Sequence, residues 1–90
     1  MSKADITVQG TPNPNAAKFV VSGVSLGTNS RSYFGSHEVG DDELAARLFS
    51  VQGVRALLIV DNFITVTKAD EVTWDDIVED ITWIIGEALG

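Results

Sequence analysis

Two runs rich in β-branched and apolar residues, 54–60 and 63–68, stand two residues apart. Nothing else in the chain restricts the fold as much. Each run has the length of a strand and falls short of an ordinary helix. The intervening Asp61-Asn62 suits a two-residue hairpin turn, because both residue types tolerate the left-handed backbone. An antiparallel hairpin is expected, with Val60 opposite Phe63, Leu58 opposite Thr65 and Leu57 opposite Val66. Strand alternation then divides the side chains between two faces. One carries Arg55, Leu57, Ile59, Ile64, Val66 and Lys68. The other carries Val54, Ala56, Leu58, Val60, Phe63, Thr65 and Thr67. The face with Ile59, Ile64 and Val66 is expected to form the core. Helices in a two-layer domain cover only one face, so apolar surface is expected to stay open on the other.

The flanking sequence supplies the rest of such a domain. Ile6 to Gln9 alternates apolar and polar residues and predicts a strand near 5–11. Thr11-Pro12-Asn13-Pro14-Asn15 is turn chemistry, since proline fixes φ and asparagine closes local side-chain turns. A second strand near 16–22 is expected to run antiparallel to the first. The Gly- and Ser-rich stretch from Ser22 to Gly40 predicts a loop with an irregular edge strand near 31–35. A helix is expected over 41–51. Asp41, Asp42 and Glu43 suit its positive end, and Leu44, Ala45, Leu48 and Phe49 form its apolar stripe. Gly53 stands where a helix-ending glycine is expected. The last helix, 74–88, has the clearest pattern: Trp74, Ile77, Val78, Ile81, Ile84, Ile85 and Ala88 share one broad stripe. The fold class is therefore α+β, a two-layer domain with an antiparallel sheet and two helices on one face.

Size and composition bound the function. Ninety residues make one domain, 1–90, able to bury about 60% of its unfolded surface. The net charge is −7 and is unevenly placed. Residues 1–37 carry three basic residues and one acid, whereas 69–90 carry seven acids and no basic residue. Such a surface repels phosphate backbones and anionic membranes, so neither nucleic acid nor a membrane is an expected partner. No apolar run approaches the ~20 residues of a membrane span. The first ten residues lack the apolar core of a secretory leader, which points to the cytoplasm. Cysteine is absent, and with it disulfides, thiolate metal sites and cysteine nucleophiles.

Candidate chemistry is sparse. His37 beside Ser36 lacks the orienting acid and the arranged nucleophile that a hydrolase needs. No phosphate-cradling glycine motif occurs. Asp41-Asp42-Glu43 lacks the alternate spacing of a calcium loop, and Asp75, Asp76, Glu79 and Asp80 suit a solvated helix face. Tyr33 and Phe34 beside Arg31 suit an edge strand covering the core better than a binding edge. No catalytic, cofactor-binding or metal-binding residue is therefore assigned, and no cofactor is expected.

Trp83 is the exception. At about 100° per residue it lies about 180° from Trp74, opposite the apolar stripe. On the same scale Asp76, Glu79, Asp80 and Glu87 fall at about 200°, 140°, 240° and 220° around it. An aromatic ring among carboxylates suits a partner with an apolar pocket and a basic rim. Trp83, Asp76, Glu79, Asp80 and Glu87 are the candidate partner-binding residues; the alternatives are that the helix end bends or a loop such as 22–40 folds over the ring, or that the ring meets a second copy of the chain.

Several segments together resemble a known family. They are Thr11 to Phe19, Phe19 to Gly23, Leu44 to Phe49, Gly53-Val54, and Asp61 to Lys68 followed by Trp74. In this arrangement the chain is similar, over roughly 5–88, to the N-terminal domain of the Nfu/NifU family. The resemblance implies a compact α+β unit. In that family it usually precedes a second domain whose Cys-x-x-Cys pair binds an iron–sulfur cluster. Those ligands have no counterpart in this cysteine-free sequence. The resemblance therefore implies a non-catalytic accessory or protein-interaction domain associated with iron–sulfur cluster assembly. The partner it suggests is a protein bearing the Cys-x-x-Cys domain. The alternative is a free-standing interaction module unrelated to iron.

Overall fold

The computed structural model describes residues 5–22 and 30–89. The elements run β1 (Asp5–Gly10), β2 (Ala16–Ser22), β3 (Arg31–Tyr33), α1 (Glu43–Phe49), β4 (Val54–Val60), β5 (Phe63–Lys68) and α2 (Trp74–Leu89). A single 3₁₀ turn, Ser36–Glu38, precedes α1. All strand pairs are antiparallel, in the spatial order β1-β2-β5-β4-β3. The edge strand expected near 31–35 thus closes one end of the sheet, and β1 closes the other.

Both helices pack on one face of this sheet, as the two-layer pattern requires. That face buries Phe19 and Val21 of β2, Leu57 and Ile59 of β4, and Ile64 and Val66 of β5. Ala45 and Leu48 come down from α1, and Ile77, Ile81, Ile84 and Ile85 from α2. No described helix covers the opposite face. There Leu58 is 38% exposed, Val20 and Phe63 are half-buried, and the Lys18 ammonium sits 4.2 Å from the Phe63 ring centroid. Apolar surface does stay open on that side.

The hairpin has the expected register, with Val60 opposite Phe63, Leu58 opposite Thr65 and Leu57 opposite Val66. Two of its details differ from expectation. A bulge lies between Val54 and Ala56, leaving Arg55 as the extra residue. It turns Val54 into the core, 8% exposed, and Arg55 outward to Glu71 at 3.5 Å. This is the reverse of simple alternation, because one inserted residue inverts the side-chain order before it. The turn at Asp61-Asn62 is also not left-handed: no described non-glycine residue has positive φ.

Gly53 does not end α1. That helix closes on Ser50, which keeps right-handed geometry and whose N–H is shared among the Ala46, Arg47 and Leu48 carbonyls. Gly53 instead serves the turn into β4, at φ +102°. A Cβ there would stand 2.6 Å from Cγ2 of Val72. The requirement is a close approach, not a cap.

Candidate functional site

The outward face of α2 carries the residues singled out by spacing. Ile77, Ile81, Ile84 and Ile85 fix the rotation of the helix against the sheet, and Trp83 is carried half a turn away. It is 61% exposed. Glu79, Asp80 and Glu87 stand four before, three before and four after it, which makes all three its neighbours on the helix surface. All are exposed, as is Asp76, two turns before Trp83. The structure divides the acids between two flanks. Asp76 and Asp80 line a groove of about 380 Å³ with Glu71, Gln52 and Val72. Glu79 lies on the other side of Trp83.

Local energetics do not account for this face. Asp75 and Asp76 suit the positive end of α2. But Asp75–Glu79 and Asp76–Asp80 are like-charged pairs four apart, each costing helix stability about 0.2–0.5 kcal/mol. Glu87 faces the negative end, where no basic residue stands. The indole, 61% exposed, gains little burial in return.

A second group of polar residues comes together only in the fold. The 11–15 turn is closed within itself: Asn15 N–H donates to Asn13 Oδ1 at 2.9 Å, and Ala16 N–H to the Asn13 carbonyl at 3.0 Å. The Thr11 hydroxyl lies 2.9 Å from the carbonyl oxygens of both Asn13 and Ala16 and donates to one at a time. The turn is then clasped to the end of β5 and the start of α2. The ammonium of Lys68, a residue only 8% exposed, donates to Asn15 Oδ1 at 2.9 Å and to the Ala69 carbonyl at 3.3 Å. Asn15 Nδ2 donates to Asp70. Trp74 donates its indole N–H to the Pro14 carbonyl at 3.0 Å and packs its ring near Phe19, centroids 6.3 Å apart. Lys68 lies 5.8 Å from the centroid of the same ring. Strand alternation puts Lys68 on the core face and helical spacing puts Trp74 on the apolar stripe, but no local pattern announces that Asn15 meets Lys68.

The other candidates are placed apart from one another. His37 is mostly exposed beside Glu38, at 3.8 Å. Asp42 does open α1, accepting from Ala45 N–H at 3.1 Å. Its other oxygen accepts from the Tyr33 hydroxyl at 2.9 Å and faces Arg31 at 3.0 Å, so it ties β3 to α1. Burial, and then the Asp42 contact, push the Tyr33 phenol above its ordinary pKa, opposed by Arg31. Tyr33 packs against the core while Phe34 is 75% exposed. Among the described residues no three His, Asp or Glu side chains form a group able to hold a metal ion. No described helix is long and apolar enough to cross a membrane.

An antiparallel five-strand sheet backed on one face by two helices makes this a small two-layer α+β domain. The chain belongs to the family described as the scaffold protein Nfu/NifU N-terminal domain, which it matches over residues 6–90. It is 32% identical over 80 residues to NifU-like protein 5, mitochondrial, of Arabidopsis thaliana, covering 89% of this chain and 29% of that one. It is 35% identical over 77 residues to the human NFU1 iron-sulfur cluster scaffold homolog, mitochondrial, covering 84% and 30%. A NifU-like protein from Saccharomyces cerevisiae superposes with a TM-score of 0.82 at 29% identity, over 94% of this chain and 77% of that one. The chain thus spans less than a third of the length of the two full relatives.

Proposed function

We propose that this domain is a non-catalytic partner-binding unit of iron–sulfur cluster assembly that holds no cluster itself. Its outward α2 face docks on a protein with an apolar pocket and a basic rim, and the partner carries the Cys-x-x-Cys pair. The observation behind this reading is Trp83, 61% exposed among the exposed acids Asp76, Glu79, Asp80 and Glu87. Family membership supports the link to cluster assembly, because a relative of this domain is named a cluster scaffold. The cysteine-free composition means that these ninety residues offer a cluster no thiolate, the ligand by which iron–sulfur clusters are chiefly held.

The test is affinity capture from the source cell with the wild-type chain and with Trp83→Ala. Cluster-assembly proteins should be enriched by the first and lost from the second. Capture of only proteins unconnected with iron would favour an interaction module outside cluster assembly.

A further inference from the structure

Among the described residues, one edge of the sheet is left open beside an apolar groove. β1 is six residues long and pairs with β2 in continuous register. It has no proline, no lysine and no bulge, the features that usually protect an edge. No described strand pairs with its outer side. The opposite edge, β3, has three residues and is tied down through Asp42.

Beside β1 the helix leaves a groove of about 320 Å³, lined by Val8, Gly10, Pro14, Ala17, Trp74 and Val78. Val8 shares the core face of the sheet with Phe19, opposite it in register, yet remains 45% exposed. The Trp74–Pro14 hydrogen bond holds one wall in place. Continuing round α2 from Trp74 and Val78, away from the core, the next side chains are Thr82, Asp75 and Glu79, spaced about 100° per residue. The two acids are exposed. The groove is therefore largely apolar, and helical spacing sets two exposed acids beyond its α2 wall, outside the lining itself.

We propose that β1 takes an extended segment of a partner as a sixth strand, and that the segment carries apolar and basic residues two positions apart, on the one face turned to the groove. Main-chain hydrogen bonds to the free edge hold it, and pockets for side chains two apart select it. An apolar side chain enters beside Val8, Trp74 and Val78. A Lys or Arg two residues away meets Asp75 or Glu79. This proposal rests on the reading of the domain as a partner-binding unit and adds a second surface to it.

The probe is a capped heptapeptide with lysine, valine and lysine at its second, fourth and sixth positions and threonine at the others, so that valine and lysines share one face, titrated into the ¹⁵N-labelled chain. The expected result is shifts of the Asp5–Gly10 amides and the Trp74 indole N–H, with slowed hydrogen exchange along β1. Val8→Lys should weaken binding by about tenfold or more, through a lost apolar contact and a new like charge. An unchanged amide spectrum elsewhere would show that the variant is folded. Trp83→Ala should weaken peptide binding far less than Val8→Lys does, because Trp83 does not line the groove and the two sites share only Glu79. Replacing the peptide lysines with glutamate should abolish binding. Shifts confined to the acidic residues of α2, or none along β1 at millimolar peptide, would overturn the proposal. So would peptide affinity lost in Trp83→Ala and kept in Val8→Lys, which would leave the Trp83 reading standing.

Discussion

The indole N–H of Trp74 donates to the carbonyl oxygen of Pro14 at 3.0 Å, across sixty positions of sequence. That bond joins the first turn of the chain to its last helix. Trp74→Phe keeps an aromatic ring near Phe19 but leaves the Pro14 carbonyl without this donor. The variant should lose about 0.5–1.5 kcal/mol of stability. Urea unfolding followed by circular dichroism gives the value, and no change in midpoint would mean that the bond contributes nothing.

Asn15 and Lys68 are expected to act as one unit. Asn15→Ala leaves the buried Lys68 ammonium with the Ala69 carbonyl and the Trp74 ring, and should cost about 1–3 kcal/mol. In a Lys68→Met background the same change should cost under about 1 kcal/mol, because no buried cation is left wanting a partner. A double-mutant cycle in urea measures the difference, and additive losses would mean that the two residues do not cooperate.

Gly53 is constrained in two ways, by its φ of +102° and by Val72. Gly53→Ala should destabilise the domain by about 1–3 kcal/mol. Gly10→Ala, where nothing lies within 4 Å of an added Cβ, should change stability by less than about 0.5 kcal/mol. Thermal denaturation of the pair tests both, and equal shifts would contradict the contrast.

Tyr33 gives the domain an alkaline dependence. Its folded pKa is raised, by burial first and by Asp42 second. The folded state therefore holds the phenolic proton more tightly than the unfolded chain does. The stabilisation is complete below the unfolded value of about 10 and is lost as pH rises through the higher folded one. The chain has a single tyrosine, so phenolate absorbance reports this group alone. Tyr33→Phe should be less stable than the wild type at neutral pH, by about 0.5–1.5 kcal/mol. The gap should narrow as pH climbs above about 10. A gap that widens there would contradict the assignment.

The sequence carries the frame of this fold because several of its signals are local. Two period-two runs set two residues apart leave one sensible register, so the pairing of Leu57 with Val66 follows from spacing alone. Helical spacing likewise puts Trp83 opposite Ile77, Ile81 and Ile85. The departures at Arg55 and Gly53 share a cause. A bulge inserts one residue without changing composition, and a glycine after a helix reads as a cap whether or not a distant Val72 also demands it. The Asn15–Lys68–Trp74 clasp is illegible for another reason. Asn15 reads as a turn residue, Lys68 as a strand end and Trp74 as core, and only the sheet brings them together.

The central claim is that Trp83 serves a partner and not the core. The direct measurement is Trp83→Ala, with its melting temperature and its affinity for the captured cluster-assembly partner determined side by side. The melting temperature should stay nearly unchanged, as expected for a largely exposed side chain. Partner binding should weaken by more than ~1 kcal/mol. A large fall in melting temperature with unchanged partner affinity would place Trp83 in the structural framework and contradict the account.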